Sequence, residues 1–499
     1  MGIIKRQSLK NSLVSYLGVF IGTLSMIFIY PLIRPSDLGL FQFVINTSAL
    51  LAGFAGWGFN TAAVHFYSFY SANAHQKNAF FWWLNSATLL SSLSFIALVF
   101  CFKNGISEWF GKENTVFLTV LPYILCIAIV VSFSNLYTAL AASSNRIVVP
   151  TLLNNLLIKL ALPILVLLFY NQIIETTFVL KGILIVLLSS VIGLYFYLFF
   201  LKQMTHRIDL HFWRNADIRK NIFNYSSFII LVGISSIMVA RLDQIIIAPI
   251  LGYGSVAVFT FGATVAEAID IPRKAIGSIS APLISESIKA NNMPHVLELY
   301  RKSALLQLII GSFLLIGVWS CSDALFDLMP KHSEEYRDGK YVILFLGLAK
   351  VVDMGTGLNH EIITFSQYYK FNLWSLTILA VLNVILNFYF ISASFLNLGI
   401  VGSALATLLS MVFFNIWRMA FIYQKMHIHP LQINMLKVIV FALIAWFLAT
   451  FTPSVSSPIL NIFVKGSMVT LVYWAFVIYG KISPDVNDSF EKMMNFLKK

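Results

Sequence analysis

The chain has 499 residues, 59% of them hydrophobic and only 11% charged, with a net charge of +13 and a mean hydropathy of +0.82. No soluble domain could clothe its surface with so few polar groups, and so apolar a chain argues against nucleic acid as the partner of its basic residues. What remains is an all-α polytopic membrane protein, since apolar runs of about 20 residues recur along nearly the whole chain and each is long enough to cross a bilayer as helix.

In chain order, fourteen spans are predicted, at 11–33, 40–64, 79–102, 115–140, 150–170, 180–201, 222–248, 253–282, 303–325, 341–364, 371–393, 396–423, 433–452 and 458–480. The first follows Lys5, Arg6 and Lys10 but is long for a signal peptide and lacks a small-residue cleavage site, so it reads as a retained helix. An even number of spans puts both termini on one side. With the N-terminus inside, about 20 Lys and Arg fall in cytoplasmic segments against about 8 outside, as the positive-inside rule requires. The largest share comes from the 202–221 connection, with Lys202, Arg207, Arg214, Arg219 and Lys220.

Charges inside the spans are the unusual feature, because each costs about 2.5–3.5 kcal/mol at the centre of a lone helix and therefore faces a wet cavity or a partner. Span eight carries Glu267, Asp270, Arg273 and Lys274 around Pro272. On a helix, Glu267, Asp270 and Lys274 share a face, Arg273 follows Asp270 by three positions, and Pro272 predicts a kink. Two readings stay open: a self-neutralised, kinked helix, or a cavity wall that engages an anionic head group. Arg241 and Asp243 in span seven are two apart and each needs a partner elsewhere. Lys350 and Asp353 in span ten, at i and i+3, predict a local ion pair. Lys159 in span five has no acid close in sequence. Arg418 is expected to snorkel at the end of span twelve, and Arg34 to act as anchor or gate at the outer end of span one. The acids Asp243, Glu267, Asp270 and Asp353 are candidates for proton or sodium coupling.

Other residues read as architecture. Cys101, Cys126 and Cys321 have no paired spacing and are expected as free thiols, and His427 with His429 makes no metal site, so neither a metal nor a cofactor is expected. Trp82, Trp83, Trp109, Tyr123 and Trp213 are expected near interfaces. The stretch Gly399-Ile-Val-Gly402-Ser-Ala404-Leu-Ala406 is a small-residue face for close helix contact.

A repeat underlies the spans. An offset of 218 aligns Pro31 with Pro249, Phe41 with Phe259 and Phe43 with Phe261, together with several Leu and Ile matches, and an offset of 220 pairs Gly182 with Gly402 and Ser190 with Ser410. Two parallel six-helix lobes follow. The expected organisation is an N-terminal lobe at 1–201, a basic connecting loop at 202–221, a C-terminal lobe at 222–424, and two further helices with a tail at 425–499. At the 218 offset, Glu267, Asp270, Arg273 and Lys274 face Ala49, Ala52, Ala55 and Gly56, while Arg241 and Asp243 face Thr23 and Ser25. One copy of the repeat does without the charges.

Three stretches carry a family resemblance: Pro31-Leu-Ile-Arg-Pro-Ser-Asp37-Leu-Gly39, Leu242-Asp243-Gln244 through Gly252, and Leu386-Asn387 followed by Leu398 to Thr407. On these and the helix count, the chain resembles the Wzx-type oligosaccharide flippases, polysaccharide transporters of the superfamily that also holds MATE exporters and lipid II flippases. The resemblance implies a transporter, not an enzyme, with no catalytic residue and no cofactor. It implies two lobes that alternate access and move an undecaprenyl-pyrophosphate-linked oligosaccharide, such as an O-antigen unit of lipopolysaccharide, across the bacterial cytoplasmic membrane. Spans one, two, seven and eight would line the route, which puts Arg241, Asp243, Glu267, Asp270, Arg273 and Lys274 on or near it, with the cationic members contacting pyrophosphate, and Lys159 and Lys350 in the lobes. Arg34 and Lys159 stay candidate substrate contacts on their charge alone. A polysaccharide polymerase or other assembly protein is the expected partner, and both termini are expected in the cytoplasm. Lipid II flipping and MATE-like cation export are the rivals within this architecture. A membrane polymerase or ligase is the rival of another class, against which stands the shortness of the longest external segment, 326–340.

Overall fold

The computed structural model describes residues 10, 14–15, 17–70, 73–144, 146–203, 216–392, 396–452, 455, 457–488 and 491. Lys5, Arg6, Arg207, Trp213 and Arg214 lie outside the described residues. Helices are the only regular elements among those described: α1 (Leu17–Leu32), α2 (Pro35–Ala55), α3 (Phe59–Tyr70), α4 (Ala74–Trp109), α5 (Asn114–Ser143), α6 (Val148–Tyr170), α7 (Thr176–Phe200), α8 (Ala216–Leu251), α9 (Tyr253–Ile269), α10 (Ile271–Lys289), α11 (Met293–Asp327), α12 (Ser333–Gly355), α13 (Asn359–Phe365), α14 (Lys370–Ile391), α15 (Gly399–Met426), α16 (Ile433–Thr450) and α17 (Pro458–Tyr479). Ten are long and apolar enough to span a bilayer, rising to thirteen when three bent pairs each count once, and α1 is a shorter apolar helix in the place of the first predicted run. The protein is a multi-pass membrane protein, and each of the fourteen predicted runs has a helical counterpart.

The helix starts display the repeat. Pro35 and Tyr253 begin helices 218 positions apart, Ala74 and Met293 as well as Asn114 and Ser333 lie 219 apart, and the spacing then widens to 222 between Val148 and Lys370. The extra residues enter at the break between α12 and α13, which has no counterpart in the first copy. Three spans predicted as continuous helices are thus interrupted, one of them α8, which bends by 55° between Val239 and Arg241. The run at 40–64 breaks at Gly56-Trp57-Gly58, where Trp57 and Gly58 take left-handed φ values of 47° and 71°. The run at 341–364 bends by 48°, at a turn in which Gly357 has φ 70°. Apolar composition fixes that a segment lies in the membrane, but a left-handed turn leaves that composition unchanged, so hydropathy cannot see it.

By contact the described residues form two compact units, Met1–Ala257 and Val258–Lys499. In the first, α8 packs on α2 and α3. Pro35 opens α2 behind Arg34, which is extended as a residue before proline must be. Four residues on, α2 presses on the corner before α9: a Cβ built on Gly39 would stand 1.7 Å from the Tyr253 carbonyl oxygen. The aromatic core of this unit gathers Phe59, Phe80, Phe81, Trp83 and Tyr137. Trp83 is therefore a core residue at 3% exposure, packed edge-to-face on Phe59, and not the interfacial anchor its position in the sequence predicts.

In the second unit, α16 and α17 lay Val438, Ala442, Val469 and Tyr473 against Ala304, Leu308 and Ile309 of α11, and the Tyr473 hydroxyl donates to the Ile309 carbonyl at 2.8 Å. The small-residue face of α15 meets α14 as its composition predicts, with a Cβ on Gly402 standing 2.8 Å from the Phe390 carbonyl oxygen. A ladder of Asn383 to Thr407 at 2.9 Å and Ser403 to Asn387 at 2.6 Å joins the same pair, replacing in the apolar interior the hydrogen bonds that water would supply. All three cysteines are free.

Close helix crossing sets the first prediction. Gly39→Ala forces α2 away from backbone that cannot yield, at a cost of about 1–3 kcal/mol, and lowers the melting temperature of the detergent-solubilised protein. Gly105→Ala, inside α4 where nothing lies within 4 Å, does not lower it, because alanine is the better helix former.

Candidate functional site

The charged stretch of span eight falls at a break. Helices α9 and α10 meet at 43°, with Asp270 at the N-cap and Pro272 in the first turn of α10, so the kink predicted from Pro272 is present. Proline costs nothing there, because the amide it lacks has no helical acceptor. Asp270 is 2% exposed. Its Oδ1 accepts from Arg273 Nε at 2.5 Å and its Oδ2 faces Lys274 Nζ at 3.3 Å. Arg273 Nε also reaches Asp353 Oδ2 on α12, at 3.1 Å. One guanidinium thus bridges two carboxylates and ties α10 to α12.

The cluster is unevenly exposed. Arg273 retains 28% of its side-chain surface and Lys274 retains 63%, while Glu267 is exposed and makes no ion pair among the described residues. Of the two basic residues, Arg273 is bound within the fold and Lys274 is available to solvent or ligand. The predicted local pair of Lys350 with Asp353 does not form: Asp353 is taken by Arg273, and Lys350 acts on Asp270 through space. A partner on another helix has won over one on the same helix: the Arg273 guanidinium, already held by Asp270, also lies within ion-pair distance of Asp353.

A second layer lies alongside. Glu361 on α13 folds over Gly277, its Oε1 2.9 Å from where a Cβ would stand, so the absence of a side chain one turn after Arg273 makes room for the acid. Arg418 is 4% exposed. It does not snorkel: its guanidinium donates to Asn372 Oδ1, meets His360 Nδ1 at 3.3 Å and stacks 4.4 Å above the Phe414 ring. Asn372 in turn donates to Thr364 at 2.7 Å, and Thr356 bonds Asn415 at 2.7 Å. Amides supply in the interior the partners that an end-of-helix arginine would find in water.

In the first unit, Arg241 NH1 donates to Asn46 Oδ1 at 2.8 Å, and the Asn46 amide donates to Gln244 Oε1. No carboxylate lies within 4.0 Å of Arg241 among the described residues, so the guanidinium is held by a neutral dipole. Asp243 is buried and interacts within the fold. Lys159, which also interacts within the fold, lays its stem over Gly18 and Gly22 of α1, with Cδ 3.6 Å and 3.8 Å from their built Cβ positions. Arg34 pairs with Asp37 at 3.0 Å and is 73% exposed.

The structure therefore joins Asp270, Arg273, Lys274 and Asp353 in the second unit and gives Arg241 an amide cradle in the first. Sequence reasoning missed Asn46, Gln244, His360 and Asn372. Their signal was present, since neutral polar side chains in an apolar span demand partners as charges do.

Arg273→Ala leaves Asp270 buried without its main partner and costs toward the lower end of the about 3–5 kcal/mol typical of a broken buried pair. Lys274→Ala, at a site mostly exposed, changes stability by less than about 1 kcal/mol. Thermal melts of both variants in detergent check the contrast, and Asp270→Asn recovers part of the Arg273→Ala loss.

Comparison with known proteins bears on the same fold. A family model described as "Polysaccharide biosynthesis protein" matches residues 6–288, while no curated protein matches the sequence. Among solved structures, the lipid II flippase MurJ in its inward closed conformation is similar at TM-score 0.71 and 15% identity, covering 95% of this chain and 98% of its own. An inward-facing MATE-family multidrug resistance transporter of the MOP superfamily gives 0.64 at 14% identity, covering 82% and 94%. A mutant of the Vibrio cholerae MATE transporter VcmN gives 0.55 at 15%, covering 85% and 98%. With more than half its length matched by one family model and its helices arranged as in these transporters, the chain belongs to the polysaccharide biosynthesis protein family and has the fold of the MOP superfamily.

Proposed function

We propose that the protein is a flippase that moves an undecaprenyl-pyrophosphate-linked oligosaccharide across the bacterial cytoplasmic membrane for surface polysaccharide assembly, by alternating access of its two lobes, with both termini cytoplasmic. The observation that carries this reading is Arg241, a cation in a membrane helix whose guanidinium is held by the Asn46 amide and not by an acid. A cation with no acid partner among the described residues is suited to a pyrophosphate, whose paired non-bridging oxygens match the arginine fork. The family match supports the substrate class.

Lys274 offers a second, exposed cation in the other unit, and Arg273 acts by holding the α10 bend from which Lys274 projects. Glu267, exposed and without an ion pair among the described residues, is the carboxylate best suited to take up a coupling proton or sodium ion. Lys159, held over α1, and Arg34, paired at the end of α1, serve the lobe more than the substrate. Delivery of the flipped unit to a polysaccharide polymerase is the step that would follow.

The test uses proteoliposomes and a fluorescent lipid-linked oligosaccharide. Arg241→Ala lowers the initial flipping rate at least tenfold at normal insertion, Arg241→Lys retains an intermediate rate, and Lys274→Ala gives a several-fold loss. Wild-type rates in both alanine variants would remove the pyrophosphate assignment, and preferential flipping of lipid II in the same vesicles would reassign the substrate.

A further inference from the structure

One groove in the first unit is unlike the rest of its surface. About 660 Å³ in volume, it runs along α4 between the α2–α3 corner and the first turns of α8. Its walls are apolar: Leu90 and Leu98 of α4 are 53% and 54% exposed, Phe95 lies between them, and Trp57 stacks on Phe223 across the far side with ring centroids 6.0 Å apart. The lining stretch of α4, from Trp83 to Leu98, extends for about 22 Å at 1.5 Å per residue. That exceeds the about 15 Å of one leaflet's hydrocarbon.

Among the described residues, the charged ones lining this groove are Arg219 and Lys220, four and five positions from the start of α8 inclusive of Ala216. Neither has a carboxylate within 4.0 Å among the described residues, and Asp217, the acid of that turn, pairs with neither. The Nε of Arg219 is buried without a hydrogen-bond partner. A buried donor left unmet is costly, and a cation left unmet beside an apolar wall is costlier still. The groove hydroxyl of Ser91 is already committed, donating to the Ala55 carbonyl at 2.6 Å. What is missing is therefore an anion attached to an apolar body of leaflet length.

We propose that this groove binds one anionic glycerophospholipid of the bilayer, with its phosphate on Arg219 and Lys220 and its acyl chains along Leu90, Phe95 and Leu98. The site is independent of the transport reading, since it uses none of the residues assigned to the substrate. Trp57, which closes one side, sits in the left-handed turn that breaks α2 from α3, and its indole donates to Ser227 at 3.0 Å. Lipid in the groove thus braces α4 against both the break and the start of α8.

Native mass spectrometry of the full-length protein, with phosphatidylglycerol and phosphatidylcholine of matched chains, tests this. Each cation near a phosphate contributes about 1 kcal/mol, so wild type retains one phosphatidylglycerol at least fivefold better than phosphatidylcholine. The Arg219→Ala, Lys220→Ala double variant loses that preference, and the Arg219→Lys, Lys220→Arg double variant keeps it. Ser94→Trp, which fills the groove without touching its charge, reduces retention of both lipids and carries the test where the alanine variant fails to fold. Equal retention of the two lipids by wild type, or an undiminished preference in the folded alanine variant, overturns the proposal. So does displacement of phosphatidylglycerol by equimolar undecaprenyl phosphate, which assigns the groove to an isoprenoid lipid instead.

Discussion

A carboxylate left with 2% of its surface in a membrane protein must receive its counter-charge from the chain itself, and Asp270 receives it from Arg273. This pair fixes much else in the second unit. Because Arg273 Nε also holds Asp353, α10 and α12 are locked at the level where α9 bends into α10. The bend in turn projects Lys274 outward while Arg273 stays within the fold. Glu361 lies over Gly277 of the same helix, so α13 takes its place from a missing side chain one turn further on. Each of these placements depends on Asp270 being buried and charged.

The repeat separates the architecture from the charges. In the first copy the second helix also breaks, at Gly56-Trp57-Gly58, where left-handed backbone makes the interruption. In the second copy Pro272, in the first turn of α10, marks it. Two chemistries yield a broken helix in corresponding spans, so breaking the helix does not require Glu267, Asp270, Arg273 or Lys274. The charges are an addition to a scaffold that forms without them, and the network around Asp270 is the arrangement that makes them tolerable.

Helix number and order were legible in the sequence because a span announces itself through twenty consecutive apolar residues, a signal insensitive to details of packing. The kink at Pro272 was legible for a local reason, since a missing amide acts on its own helix. What hydropathy could not reveal was the break at Trp57 and the bend after Gly355, where backbone turns left-handed within apolar sequence. Nor could it choose partners between helices. Asp353 had Lys350 at i−3 and took Arg273 from α10; Arg418 lay near a helix end and turned inward to Asn372. Both outcomes depend on which helices become neighbours, and a single sequence read by periodicity carries little of that information.

Arg241 and Arg418 make the point in physical terms, because both are intramembrane guanidiniums held by an asparagine. Arg418 is 4% exposed, stacked on Phe414 and hydrogen-bonded to Asn372 and His360. Its NH2 joins α15 to α13 and α14, while its Nε is buried without a hydrogen-bond partner among the described residues, and a ligand would have to displace the packing to reach it. Arg241 is less enclosed, and NH1 is the donor it spends, on Asn46. Asn46 is itself fixed by Gln244, three positions after Arg241 on α8, so the guanidinium is oriented by a side chain that its own helix has positioned. A guanidinium aimed in this way loses little entropy when it meets an anion, whereas one enclosed in the packing is not reached by it. Exposure, more than the presence of charge, distinguishes the arginine suited to a ligand from the arginine that builds the fold.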